Sequence, residues 1–256
     1  MHILITNDDG VHAKGLQVLI KQMSKLGRVT VVAPDSARSG QSSAISIEHP
    51  IRVKQLLAED SLNIYSCNGT PADCAKIAVE VLLENDRPDL LVAGVNHGSN
   101  SAINVIYSGT MGAIFVGAEN MIPSIGFSLN DHLADADFSS FEPYILPLTK
   151  KILQLPVRYG LCYNINVSPG EVKGVRVTRQ CKGYWHREYE EYTDPHGEKF
   201  YLLSGEFCNT EPEAEDTDEW ALKNGYIAIT PTTIDMTDYT DNNLKSVEWS
   251  DLTNIL

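Results

Sequence analysis

MHILITNDDGVHAKGLQVLIKQMSKLGRVTVVAP, residues 1–34, decides the fold. Ile3-Leu4-Ile5-Thr6 is a short continuous apolar run, the pattern of a strand buried on both faces. Leu16, Leu19, Ile20 and Met23 then recur at helical spacing, and Gly27 closes the helix. RVTVVA, residues 28–33, is a second buried strand. Strand, helix and strand in roughly 30 residues make the βαβ unit that starts a parallel sheet. Where the first strand meets the helix stand Asn7, Asp8, Asp9 and Gly10. Adjacent carboxylates repel unless something positive lies between them.

The pattern continues outward. PDSARSGQSSAIS, residues 34–46, is a polar loop after the second strand, followed by two extended stretches, IRVKQLL and NIYSCNG. Thr70-Pro71-Ala72-Asp73 predicts a helix start, with a threonine cap, proline at the first helical position and an acid at the third, running to about Leu83. DLLVAGV, residues 89–95, is a buried strand ending at Asn96-His97-Gly98. A polar turn leads to Ser108-Gly109-Thr110, where a helix of small residues begins. PSIGFSL (123–129) and LCYNINV (161–167) are further strands, with a helix over 139–153 between them.

Beyond this core the pattern changes. Residues 184–193 and 199–204 flank Asp194-Pro195-His196-Gly197 and read as a hairpin, followed by a short helix over Thr217 to Asn224 and the strand YIAIT, residues 226–230. The expected class is α/β: a Rossmann-like, doubly wound, mostly parallel sheet with a β-hairpin extension and a C-terminal arm. The expected divisions are 1–180 for the core carrying the site, 181–230 for the hairpin and closing elements, and 231–256 for an oligomerisation arm. The arm segment is too polar for a core and too aromatic for a plain tail, with Met236, Tyr239, Leu244, Val247 and Trp249 as sparse anchors. Exchange of such an element between two copies is a low-cost route to a dimer.

At 256 residues, 43% hydrophobic and 21% charged, the chain is an ordinary globule large enough for a substantial core. No basic leader precedes the first strand and no stretch approaches the roughly 20 apolar residues of a membrane span, so the expected location is the cytoplasm. The five cysteines are odd in number and widely spaced, the pattern of reduced core thiols. The net charge of −14 argues against stable nucleic-acid or anionic-membrane partners. Residues 205–256 hold 12 acidic and 2 basic side chains, so the remainder carries only −4. A phosphorylated ligand must therefore be small and its charge met locally.

In an open α/β sheet, ligands bind beyond the carboxyl ends of the strands. Asn7, Asp8 and Asp9 follow the first strand, Ser36 to Ser43 the second, and Asn96 to Asn100 a later one, so three loops are expected to share one crevice. Alone, Asp-Asp-Gly is as well explained by a turn, Asn96-His97-Gly98 likewise, and Ser39 says almost nothing. Together they form an oxygen-rich set suited to Mg²⁺ or Mn²⁺. Ser108-Gly109-Thr110 adds a helix start with free backbone N–H groups, suited to phosphate, although a plain serine cap explains it equally well alone. His12 and His97 lie in the same loops and are candidates for proton transfer, whereas His2, His49, His132, His186 and His196 show no ligand spacing.

ILITNDDG, PDSARSGQSSAIS, NGTPADC, GVNHGSN and YSGTMGA, in that order and with TDEWALKNGYIAITP near the end, resemble the SurE family of metal-dependent nucleotidases and acid phosphatases. The resemblance covers most of the chain. It implies one divalent metal ion, Mg²⁺, Mn²⁺ or Co²⁺, held by Asp8, Asp9, Ser39 and Asn96, and hydrolysis of nucleoside 5′-monophosphates, with 3′-monophosphates a further class. Asp8, Asp9 and Asn96 form the expected catalytic set, with Asn7, Gly40, Ser108, Gly109 and Thr110 as phosphate-binding residues. Dimers or tetramers with exchanged C-terminal arms are implied as well. Two departures stand out: Val116 where many members carry glutamate, and His97 at a usually small position.

Two other classes share parts of this pattern. A phosphoacceptor signalling module also places two acids after its first strand to hold Mg²⁺, but it needs a further aspartate at a central strand end, where this chain has Asn96. A dinucleotide-binding module fails at the first turn, where N-D-D-G replaces G-x-G-x-x-G. The D-x-D of covalent phosphohydrolases is missing too, because Asn7 precedes Asp8.

Overall fold

The computed structural model describes residues 1–133, 135–242 and 246. In chain order it runs β1 (His2–Thr6), α1 (Lys14–Met23), β2 (Arg28–Pro34), β3 (Val53–Ala58), β4 (Leu62–Cys67) and α2 (Pro71–Ile77), the last extended by a π-helical turn, Ala78–Leu82. There follow β5 (Leu90–His97), a 3₁₀ helix (Ala102–Ile106), α3 (Gly109–Glu119), β6 (Ser124–Leu129), α4 (Glu142–Ile152) and β7 (Leu161–Val167). The closing part is β8 (Gly174–Val177), β9 (Gly183–His186), β10 (Tyr189–Thr193), β11 (Lys199–Leu203), β12 (Glu206–Asn209), α5 (Asp218–Lys223) and β13 (Tyr226–Thr233).

Nine strands form one sheet in the order β3-β4-β2-β1-β5-β6-β7-β13-β8. From β4 to β7 all neighbours are parallel, while β3 on β4 and β13 on β7 are antiparallel. The apolar run of β1 lies at the centre, and alternation divides it. Ile3 and Ile5 join Leu16, Leu19, Ile145 and Leu148 of α1 and α4, whereas Leu4 joins Ala75, Met111 and Ile114 of α2 and α3 on the other face. The two-faced burial read from the sequence follows from this central position.

α2 starts as its sequence predicts. The Thr70 hydroxyl accepts the Asp73 N–H and the Asp73 carboxylate accepts the Thr70 N–H, a reciprocal capping box with Pro71 at the first turn. Asp73 also accepts the Ser46 N–H at 3.0 Å and the Ser46 hydroxyl at 2.7 Å, while the Thr70 hydroxyl donates to Ala44 O at 2.6 Å. One acid thus both caps the helix and fastens the polar loop after β2.

The closing part differs from its sequence reading in detail. The hairpin has two tiers, β10 with β11 and β9 with β12, because Arg187 (φ +52°) and Gly205 (φ +114°) break the strands between them. GVRV forms β8, which the sequence pattern misses because four half-exposed edge residues show no burial signal. β13 runs past YIAIT to Thr233, pairing Pro231, Thr232 and Thr233 with Tyr163, Cys162 and Leu161. Of the expected arm anchors, Met236 and Tyr239 are exposed, and Leu244, Val247 and Trp249 lie outside the described residues. All five cysteines are free, four of them buried and Cys208 half-buried. Among the described residues no helix is long and apolar enough to cross a membrane.

Burial raises the Asp73 carboxyl, but hydrogen bonds from Thr70 and Ser46 more than reverse this and hold it below its ordinary 3.8. A depressed folded value contributes stability above the unfolded value that is lost as pH falls through the folded one. Asp73→Asn is expected to lose about 1–2 kcal/mol at pH 7, with the gap to wild type narrowing below the ordinary carboxylate range. Urea unfolding at pH 7 and pH 3 measures both.

Candidate active site

β1 delivers Asp8 into the sheet's carboxyl end, on the side facing α2 and α3, as alternation from Leu4 and Thr6 requires. Asp8 is 3% exposed and Asp9 is half-buried. The turn is closed by Asn7, whose Nδ2 donates to Gly10 O at 2.9 Å, and is pinned to the next loop by Arg38 N–H on Asp8 O at 2.7 Å. Burial first, then the charge of Asp9, push the Asp8 carboxyl up to about 7, against the Thr110 hydroxyl, which donates to Oδ1 at 2.8 Å. Asp9 is raised by burial too, opposed by the His97 charge and the His97 N–H at 3.3 Å from Oδ2. Among the described residues no Lys or Arg forms an ion pair with either acid.

The start of α3 lies against this pair. The Ser108 hydroxyl accepts the Met111 N–H at 3.0 Å and the Ser108 carbonyl accepts the Gly112 N–H at 3.0 Å. The helix geometry therefore leaves the amides of Gly109 and Thr110 without a partner inside the helix, and the Thr110 N–H is spent on the Asp8 carboxylate. Gly109 is required by space: a Cβ there would stand 2.9 Å from Asp8 Cβ and 3.1 Å from both Asp8 Oδ2 and Pro71 Cγ. Only glycine lets the positive end of the helix sit on the acid.

β5 brings the third element. Its register against β6 shifts between Ala93 and Asn96, an irregularity of the kind that re-aims a strand end. Asn96 is buried and its Nδ2 donates to Gly98 O at 2.8 Å, which leaves Oδ1 as the end able to meet a ligand. The His97 ring turns away, with Nδ1 at 2.8 Å from Leu133 O and its edge on Phe138 at 5.1 Å. His12 is exposed.

The loop after β2 supplies the fourth side. Ser39 and Gly40 are exposed, and Ser39 follows directly on Arg38, whose amide is anchored on Asp8. Further along, Ser42 donates through its N–H to Tyr107 O at 3.1 Å and through its hydroxyl to Ile106 O at 2.5 Å. Gly112 permits this contact, since a Cβ there would stand 2.4 Å from Ser42 O. Asp8 thus meets Gly109 and Thr110 of α3, and Asp9 meets the backbone of His97, the residue after Asn96. Ser108 spends its hydroxyl on the cap, and Ser39 and Gly40 sit on the rim with no hydrogen bond between them and the acids.

Sequence reading missed the supports. Asn100 donates through N–H to Asn166 Oδ1 and through Nδ2 to Ser128 Oγ, both at 2.8 Å, and Asn164 Nδ2 donates to Asn100 O at 2.8 Å. Asn166 Nδ2 closes the set on Asn164 Oδ1 at 2.7 Å, and all four side chains are buried. The available signal was the pair of asparagines alternating inside the apolar strand YNINV, polar residues on one face of a core strand. Val116, by contrast, is an ordinary core residue, 4% exposed beside α2.

Comparison with known proteins places this geometry. The family model described as Survival protein SurE matches residues 3–187. A protein of Phocaeicola vulgatus named 5′-nucleotidase SurE is 48% identical over 238 residues, covering 93% of this chain and 92% of its own length. A second of the same name, from Bacteroides fragilis, is 46% identical and covers 93% of each chain. The crystal structure of the SurE protein from Aquifex aeolicus superposes with a TM-score of 0.80 at 33% identity, covering 93% of this chain and 96% of the other.

Truncating the buried asparagine set leaves donors and acceptors without partners. Asn166→Ala is expected to cost about 1–3 kcal/mol, whereas Ser99→Ala, at a partly exposed hydroxyl, is expected to cost less than about 1 kcal/mol. Urea unfolding of both variants checks the contrast.

Proposed function

We infer the activity from one premise, that the chain belongs to the SurE family: it is a phosphomonoesterase that hydrolyses nucleoside 5′-monophosphates, with 3′-monophosphates as a second class. The observation that carries this reading is the helix start seated on the acid pair. Amides at a helix N-terminus form an anion site, and the Thr110 N–H here already meets the Asp8 carboxylate. Here that site faces two carboxylates, so a bound phosphoryl group needs a positive charge between it and them.

The residues fit a divalent cation. Among the described residues neither Asp8 nor Asp9 pairs with a Lys or Arg and Asn7 Oδ1 is buried with no hydrogen-bond partner, while Asn96 has its oxygen left for a ligand. Among the described residues no three His, Cys, Asp or Glu side chains cluster for a metal, in keeping with a set that is half serine and asparagine. Asp8, Asp9, Ser39 and Asn96 are the residues that would hold the ion. Bound there, Mg²⁺, Mn²⁺ or Co²⁺ supplies charge neutralisation at the phosphoryl oxygens and a more acidic water.

The protein's own groups do the rest. The Gly109 amide, with the helix start around Ser108 and Thr110, holds the phosphoryl oxygens and orients the phosphorus, with Asn7 and Gly40 flanking them. Asp9, the less buried acid, accepts the proton of the attacking water, while Asp8 is held in place by the Thr110 hydroxyl. Water oxygen bonds to phosphorus, the bond to the ribose oxygen breaks, and the proton that Asp9 drew from the water passes to that oxygen, which leaves as the free nucleoside. The enzyme acts in the cytoplasm as a dimer or tetramer. The pairing of residues 231–233 within β13 moves the start of the exchanged arm to residue 234, and the exposed Tyr189, Leu202 and Leu203 of the hairpin add apolar surface for self-association.

Asp8→Asn is expected to lower metal-dependent phosphate release from AMP by about 10²–10⁴-fold, the equivalent of several kcal/mol of transition-state stabilisation. Its stability should rise, because a buried like-charge repulsion disappears. Phosphate release measured with each metal and with excess chelator, beside urea unfolding, tests both; full activity in chelator would overturn the reading. Deleting residues 234–256 should lower the mass seen by light scattering, and an unchanged oligomer would remove the arm from the assembly.

A further inference from the structure

Between Asn96 and Ser108 the chain turns at Ala102, whose φ of +48° lies in the left-handed region that a residue with a Cβ enters only at a cost. Something must hold it there. The Ala102 N–H donates to Asp218 Oδ2 at 2.9 Å. Asp218 is 1% exposed, and its other oxygen accepts the N–H groups of Cys181 and Glu219, both at 2.9 Å. Its own N–H donates to Arg179 O at 3.0 Å, so the acid is fixed before it meets the loop. Glu219 accepts the Ser101 hydroxyl alongside. On the other side of the turn, Asn100 is held by Asn164 and Asn166.

Everything downstream of this turn leads to the acid pair. The 3₁₀ helix that follows is pinned by Trp185, whose indole N–H donates to Asn104 Oδ1 at 2.8 Å. Its last carbonyls, Ile106 and Tyr107, hold Ser42. Ser108 then opens α3, and Thr110 reaches Asp8. An acid in α5, more than a hundred residues beyond Ser108, thus stands at the head of an unbroken covalent and hydrogen-bonded path to the phosphate cradle.

We propose that Asp218 is a positioning residue: by holding the Ala102 amide it sets the left-handed turn that aims the helix start at Ser108–Thr110 and the Ser42 loop onto Asp8. Its activity readout rests on the phosphomonoesterase reading, while its structural readout does not. The competing account is that Asp218 only stitches α5 to residues 179–181. The two differ at residue 102, because glycine takes a positive φ without the steric cost and should make the Asp218 contact less necessary.

Four full-length proteins test this: wild type, Asp218→Asn, Ala102→Gly and the double variant. Phosphate release from AMP with Mn²⁺ and amide hydrogen exchange over residues 101–112 are measured on each. Asp218→Asn should lose about tenfold or more in kcat/KM, since its amide nitrogen opposes an N–H donor, and exchange should quicken over 101–112. Ala102→Gly should stay within about threefold of wild type, and the double variant should recover at least about threefold over Asp218→Asn, with slower exchange. An Asp218→Asn protein like wild type in both measurements, or a double variant no better than the single, would overturn the proposal. If Asp218→Asn does not fold, Ala102→Val keeps the acid but makes the turn more costly; it must lose activity and protection over 101–112, and wild-type behaviour would refute the role. If wild type releases no phosphate, the functional reading falls while the exchange data still decide the positioning.

Discussion

Two adjacent carboxylates at the end of a central, fully buried strand are the constraint around which the rest is arranged. Two unit charges about 4 Å apart repel by roughly 4 kcal/mol at the effective dielectric of a protein surface, and burial of Asp8 adds desolvation. Apart from the charge of His97 near Asp9, what the chain sets against this is partial charge: the N-terminus of α3, the Thr110 hydroxyl and the His97 amide. A helix terminus contributes at most about 2 kcal/mol in a partly buried geometry. The imbalance explains why Asp8 keeps a raised proton affinity, and why the site's chemistry calls for a cation rather than for another side chain.

Holding that imbalance requires a stiff surround, and the supports come from far along the chain. Gly109 and Gly112 let α3 approach the acids and the Ser42 loop without room for a methyl group. Asp73 fastens the same loop from α2. The asparagine set ties the segment after Asn96 to β6 and β7. These contacts act by fixing position, and a displacement of about 1 Å in a reacting group can cost two orders of magnitude in rate. The polar groups buried for this purpose are mutually satisfied, the condition under which burial of polar groups does not destabilise.

How much of this is legible in sequence depends on range. The β1-α1-β2 unit is readable because a strand buried on both faces and a helix with one apolar stripe leave different periods. The α2 cap is readable because its partners lie three residues apart. Asp8, Asp9 and Asn96 stand at the ends of the adjacent strands β1 and β5, where open α/β sheets bind ligands, so their place in the fold is readable from topology. Asp218 is hidden because an acid after Thr217 is already explained by the start of a helix, which wants negative charge whatever else the acid does. Asn100 is hidden because its partners lie 28 to 66 residues away. β8 and β12 are hidden because four exposed or half-buried residues at a sheet edge carry no pattern.

The two departures from the family pattern can be judged by where their atoms lie. Val116 is eight residues into the helix that Ser108 caps, about 12 Å along its axis at 1.5 Å per residue. Its surroundings there are the apolar contacts of α2 and the sheet, where valine removes the need to partner a buried charge. His97 carries its bulk away from the acids, with its ring against Phe138 and Leu133. The part of His97 that reaches Asp9 by hydrogen bond is the backbone N–H, which most residues could supply. Both departures therefore leave the polar contacts around Asp8 and Asp9 in place.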